Sequence, residues 1–95
     1  MTTLAAKISI PDQVTYSEVA NEMVLLNLDT GKYFGLDEVG ARMYALLAEH
    51  KSLRQAYQTL LDEYEVDPDR LEQDLIVLVD DLVERGLVTI QEYRE

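Results

Sequence analysis

Hydrophobic and polar positions change their period along this chain. Up to about residue 36 apolar residues recur at intervals of two; beyond residue 37 they recur at about 3.6. Ile8 and Ile10 alternate with polar neighbours until Pro11-Asp12 interrupts them. Val14, Tyr16 and Ser17 open a weaker extended stretch, and Ala20-Asn21-Glu22 reads as a turn. Met23–Leu28 carries the strongest strand signal. Its residues Met23, Leu25 and Asn27 fall on one face, and Val24, Leu26 and Leu28 on the other. Asp29-Thr30-Gly31 is a turn signal, with Gly31 suited to a positive φ. Lys32–Leu36 follows, and Tyr33 and Phe34 favour a strand. Met23–Asn27, turn, Lys32–Leu36 is therefore a predicted β-hairpin.

Three helices are predicted over residues 37–86. Asp37 is the N-cap candidate of the first, and Val39, Met43, Leu46 and Leu47 form its apolar stripe. It ends near Glu49-His50-Lys51, where a cation suits the negative end of the helix dipole. Ser52 caps the second, with Gln55 completing a capping-box pattern. Its stripe is Leu53, Ala56, Tyr57, Leu60, Leu61 and Tyr64. Asp67 caps the third, and Pro68 stands at the first helical position, where its missing N–H costs nothing. Leu71, Leu75, Leu78, Val79 and Leu82 form the third stripe, and Arg85-Gly86 is a stop signal. Leu87–Ile90 reads as a short final strand or an extended tail. Strands followed by three helices predict an α+β, winged helix-turn-helix-like domain, with an N-terminal three-stranded antiparallel sheet. At 95 residues the chain is expected to form one domain, residues 1–95.

Composition narrows the chemistry. With no cysteine there is no disulfide, Cys-based zinc site, iron–sulfur cluster or thiol nucleophile, and one histidine excludes sites built on two imidazoles. Apolar runs such as Leu75–Val79 are far too short for a membrane span, and the N-terminus does not read as a signal peptide. A cytoplasmic protein without membrane contact is the expectation. Eight basic residues against nineteen acidic ones give a net charge of −11. The winged-helix architecture would suggest DNA reading by its third helix. Between Asp62 and Glu84, however, ten acids stand against the single base Arg70, a charge that phosphate repels. Nucleic acid is excluded as a partner.

Candidate catalytic and metal motifs are weak. His50 sits at a helix end among charged residues, with no nucleophile or orienting group in view. No GxSxG or P-loop string is present. The segment beginning at Asn27, with Glu38 in twelfth place, faintly imitates an EF-hand loop, but Lys32 occupies the position that needs glycine. Asp67-Pro68-Asp69 fails in the same way, with Glu72 at position six. Lys51-Ser52-Leu53 lacks the aspartate that precedes a carrier-protein serine, and Ser52 has a sufficient role as a cap. No cofactor or metal is implied, and the carboxylates read as a solvated face.

Peptide binding is the function class that remains. A hairpin at the margin of a sheet leaves Lys32–Leu36 as an edge strand, whose free N–H and C=O groups an extended peptide can complete. The third helix would supply the second wall. Asp74, Val77 and Asp81 lie along one flank of its stripe, and Ile76, Val79 and Val83 along the other. The first flank suits a peptide with basic and apolar residues; the plainer reading is a solvated face with one exposed valine. An enzyme using a carboxylate pair and a winged-helix interaction domain of a regulator are the other readings left open.

The string Val24-Leu25-Leu26-Asn27-Leu28-Asp29-Thr30-Gly31-Lys32-Tyr33-Phe34-Gly35-Leu36-Asp37-Glu38-Val39-Gly40 resembles the PqqD-like family. So do Tyr44 and Leu46-Leu47, Leu60 and Tyr64, Asp74-Leu75, and Leu82-Val83-Glu84-Arg85-Gly86-Leu87-Val88, over about residues 14–90. The resemblance implies a RiPP recognition element, which binds the leader of a ribosomally made precursor peptide and presents it to a modifying enzyme. The leader would add as a strand to the third strand of the sheet and pack on the third helix. Carried onto this chain, the peptide-binding residues are Lys32, Tyr33, Phe34 and Gly35, with Asp74, Val77, Leu78 and Asp81. The hairpin looks more like that of the stand-alone recognition protein of lasso-peptide pathways. The partner would then be a leader peptidase of the transglutaminase-like cysteine protease type. A PqqD-type protein would serve a radical-SAM enzyme instead. A monomer or weak dimer is expected, since a free edge strand can also pair with its own copy.

Overall fold

A computed structural model describes residues 2–92. Four strands come first: β1 (Ala6–Ser9), β2 (Val14–Val19), β3 (Glu22–Asn27) and β4 (Tyr33–Leu36). Three helices follow, α1 (Glu38–His50), α2 (Leu53–Glu63) and α3 (Pro68–Glu84), and then β5 (Thr89–Glu92). Strands β2, β3 and β4 form an antiparallel sheet in that order, so the expected α+β arrangement of a three-stranded sheet followed by three helices is present. The sequence reading left the final segment as a strand or a tail. It is β5, and it pairs with β1 in a separate two-stranded ribbon, Ile8 opposite Ile90.

The helix ends form as their residues dictate. The Asp37 carboxylate accepts from the Gly40 N–H at 2.8 Å, the Ser52 hydroxyl from Gln55 N–H at 3.3 Å, and the Asp67 carboxylate from Asp69 N–H at 3.0 Å. Helix α3 stops on a Schellman turn. Leu87 N–H donates to the Leu82 carbonyl at 2.8 Å, and Gly86 N–H to Val83 at 3.0 Å. Gly86 takes the left-handed φ of +72° that this turn requires. Leu82 and Leu87, brought together by the turn, are both fully buried.

The inward face of β3 is the predicted one: Met23, Leu25 and Asn27 are buried. Leu25 packs in one core with Leu46, Leu47, Leu53, Leu60, Leu75, Val79, Leu82, Leu87 and Val88. Two positions depart from the predicted stripes. Val39, expected on the buried face of α1, is 46% exposed; it stands in the first turn, ahead of Met43, the first buried residue of the helix. On α3 the buried line is Leu71, Leu75, Val79 and Leu82. Val79 is fully buried with this line, and Leu78, expected in the same stripe, is left half-buried at its margin.

Candidate functional site

Strands β2 and β4 are the two edges of the three-stranded sheet, and the polarity of β4 follows from the register. Asn27 N–H donates to the Lys32 carbonyl at 2.9 Å, and Leu25 faces Phe34 while Val24 faces Gly35. In an antiparallel ladder such bonded pairs alternate with unbonded ones. Lys32, Phe34 and Leu36 therefore direct their backbone groups to β3. Tyr33 and Gly35 direct theirs outward, to the unpaired edge. The other side of β3 agrees: Leu28 N–H donates to Gln13 at 2.8 Å, so its even-numbered residues bond toward β2. Side chains on β4 alternate too. Leu36 is buried and Phe34 half-buried on the inner face; Tyr33 is exposed on the outer one, where a Cβ at Gly35 would meet nothing within 4 Å.

The C-terminal end of helix α3 meets this edge. The Arg85 guanidinium lies 4.9 Å from the centre of the Phe34 ring, a cation–π contact linking the helix end to the strand. Lys32, Tyr33, Glu84 and Arg85 line a cleft of about 540 Å³ at this end. Asp74, Leu78, Asp81 and Arg85 succeed one another along the same flank of α3, at spacings of four and three. At the far end lies a small apolar hollow of about 150 Å³, lined mainly by Val39, Met43, Leu60, Tyr64, Val66 and Leu71. Arg70 and Asp74, 3.9 Å apart, lie at its mouth.

Of the residues expected from the sequence, Lys32 and Tyr33 share the cleft with Glu84 and Arg85, Phe34 meets Arg85, and Asp74 lines the apolar hollow. Val77 lines a cavity of about 590 Å³ on the outward side of α3 with Thr2, Asp69, Glu72, Gln73, Ile76 and Asp80. The acids of the helix are divided in the same way. Asp74 lies 3.9 Å from Arg70 and Glu84 shares its cleft with Lys32 and Arg85, whereas Asp69, Glu72 and Asp80 line the outer cavity with no base in its lining.

Sequence reasoning missed the part played by Asn27, which is 3% exposed. Its Nδ2 donates to the Gly86 carbonyl at 2.8 Å, and its Oδ1 accepts from Asp29 and Thr30 N–H at 2.9 and 3.2 Å. One side chain thus shapes the β3–β4 turn and ties it to the end of α3, which fixes the distance between strand edge and helix. The available signal was a lone polar residue on the buried face of an apolar strand, just before Asp-Thr-Gly. Arg85 was read only as part of a stop signal.

The remaining chemistry is structural. The Arg42 guanidinium is paired with the Glu63 carboxylate, with Nε at 2.9 Å from Oε1, and this hydrogen bond holds the Glu63 carboxyl below the usual carboxylate range. Burial raises the Tyr44 phenol above its ordinary value. Among the described residues no group of three or more His, Cys, Asp or Glu side chains is placed to hold a metal ion.

Comparison with known proteins decides the family. The profile described as coenzyme PQQ synthesis protein D (PqqD) matches residues 22–88, which span β3 through the buried Val88. The chain belongs to the PqqD family. Two solved structures resemble this PqqD-family chain closely. One is TbiB1 in complex with the TbiA(β) leader peptide, 37% identical, covering 90% of this chain and 98% of that one, with a TM-score of 0.77. The other is a lasso peptide synthetase B1 complexed with its leader peptide, 28% identical, covering 87% and 98%, also with a TM-score of 0.77. No curated protein matches the chain.

Proposed function

We propose that this PqqD-family protein binds the leader segment of a ribosomally made precursor peptide in lasso-peptide biosynthesis. The leader adds to β4 as a further strand. The observation that carries this reading is the free edge of β4, with the backbone groups of Tyr33 and Gly35 turned outward beside α3. The kinship to two leader-bound lasso synthetase B1 structures supports it. Main-chain hydrogen bonds supply affinity that is indifferent to sequence, and side chains on the inner face select the peptide.

The geometry also gives the peptide a direction. Antiparallel addition is the stronger pairing. It places the leader's N-terminal part beside Asp74 and the apolar hollow, and its C-terminal part beside Lys32 and Arg85. In this reading Phe34, Leu78 and Asp81 line the middle of the groove, and Val77, which lines the cavity with Thr2 and Asp80, stands outside it. The protein acts without catalysis, in the cytoplasm where the precursor is made. Among the described residues no helix is long and apolar enough to cross a membrane. It hands the precursor to a leader peptidase, the partner expected of a lasso-type protein, and the likeness to a lasso peptide synthetase B1 supports the lasso-type reading over the radical-SAM one. Calorimetry with a synthetic leader from the neighbouring precursor gene tests the reading. Saturable binding at one site is expected, and an absence of heat and of spectral change would overturn it.

A further inference from the structure

The cleft at the start of β4 holds two cations that the fold does not neutralise. Among the described residues neither Lys32 nor Arg85 forms an ion pair, on a chain with nineteen acids against eight bases. Glu84 lines the same cleft and pairs with neither. The Arg85 guanidinium is held by its face, 4.9 Å from the centre of the Phe34 ring. Stacking of this kind leaves the in-plane N–H groups open, in the fork geometry that matches a carboxylate. Lys32 shares the face of Phe34 by strand alternation, and it lines the cleft with Arg85 while remaining exposed.

We propose, on the leader-binding reading, that Lys32 and Arg85 select one acidic side chain of the leader and so set the register of the added strand. Tyr33 and Gly35 exchange backbone bonds with that strand. Lys32 and Phe34 then stand at its non-bonded pairs, where opposed side chains come closest and share a face. In antiparallel addition, the leader residue facing Phe34 is followed two places later by the residue facing Lys32. That second residue is aspartate or glutamate, and its carboxylate accepts from the N–H edge of Arg85 and from the Lys32 ammonium. A lysine or arginine there meets two like charges and is rejected. Main-chain bonds are indifferent to sequence, so they leave the register open. A slip of one residue turns the acid to the outer face, and a slip of two carries it out of the cleft. The two cations therefore fix how much of the leader extends past the protein.

The test uses the full chain and fluorescein-labelled synthetic leaders from the neighbouring precursor gene, read by fluorescence anisotropy. Each leader acid is changed in turn to its amide and to lysine, and each peptide is titrated against wild type, K32E and R85Q. One acid is expected to stand out. Its amide should bind wild type about three- to tenfold more weakly, and its lysine variant more weakly still. The same amide change should cost less against R85Q, where a partner of the carboxylate is missing. K32E should prefer the lysine leader to the native one, a reversal that no loss of folding produces. The absence of any such acid overturns the proposal, and so does an acid whose replacement has equal effects in wild type, K32E and R85Q. Failure of the leader-binding reading is distinct: it shows in the first titration, as a wild type that does not bind the native leader.

Discussion

Proline at Gly35 separates the edge-strand reading from every explanation based on side chains. The Gly35 N–H points away from β3, so a pyrrolidine ring there removes no bond of the folded protein. The site accepts it: Gly35 does not have a positive φ, and an added Cβ meets nothing within 4 Å. Phe34 before it is already extended, as a residue preceding proline must be. The stability effect is therefore near zero, or a gain of about 0.4–1 kcal/mol from the stiffer unfolded chain. Binding is affected differently. The incoming strand loses one N–H donor, its own carbonyl is left unpaired, and the ring occupies the place of the bond. These losses together are about 1–3 kcal/mol, or roughly a 5- to 150-fold weaker leader complex. Proline at Phe34 does the reverse. Its N–H bonds to β3, so G35P should melt at or above the wild-type temperature while F34P should lose about 3 kcal/mol of stability. Thermal melts and anisotropy with a labelled leader read both quantities, with G35A as the control for the Cβ. A G35P protein that binds leader at full strength would refute strand addition at β4.

Three further outcomes follow from the same geometry. D74K should weaken a basic leader by about two- to fivefold, because Asp74 is exposed and its charge screened, and the loss should fade as salt is added; equilibrium binding at two ionic strengths checks it. N27A should cost about 2–4 kcal/mol in denaturant unfolding, since it strands the Gly86 carbonyl and two turn amides. It should weaken leader binding as well, by loosening the strand from α3. The Glu63 carboxyl has its pKa lowered in the fold by the Arg42 hydrogen bond. Its contribution to stability is thus complete above the unfolded glutamate value and is lost as pH falls through the lower folded value. R42M should therefore differ most from wild type near neutral pH and converge with it in acid, as followed by melting temperature against pH.

The division of charge about α3 alters the meaning of the acidic composition. A surplus of nineteen acids over eight bases suggested an acidic peptide groove. In the fold, Asp74 is paired with Arg70 and Glu84 shares a cleft with Lys32 and Arg85, while Asp69, Glu72 and Asp80 line a separate cavity. The proposed groove therefore selects leaders by where single charges stand, a cationic end at Lys32 and Arg85 and an acidic position at Asp74, more than by overall attraction.

Local rules wrote most of the element list. The hairpin was legible because Met23–Leu28 alternates and Asp-Thr-Gly closes it; the helices were legible because Asp37, Ser52 and Asp67 offer carbonyl-like oxygens to open N–H groups within three residues. These interactions span a few residues, so the sequence holds all their parts. The free edge and the acidic flank of α3 were legible for the same reason. What needed tertiary structure is everything that joins distant segments. The pairing of β1 with β5 links residues 6–9 to 89–92, and nothing local selects that partner. The Asn27–Gly86 bond and the Arg85–Phe34 stacking set the groove width across more than fifty residues. The rotation of α3 by a fraction of a turn decided that Leu78 is marginal beside a fully buried Val79 and that Val77 lines the cavity with Thr2 and Asp80, because a helical stripe specifies a face only to within one neighbouring position. Hydrogen-bond parity on β4 was likewise set by register, a property of two strands together, and it alone tells which two residues of the edge are free to hold a peptide.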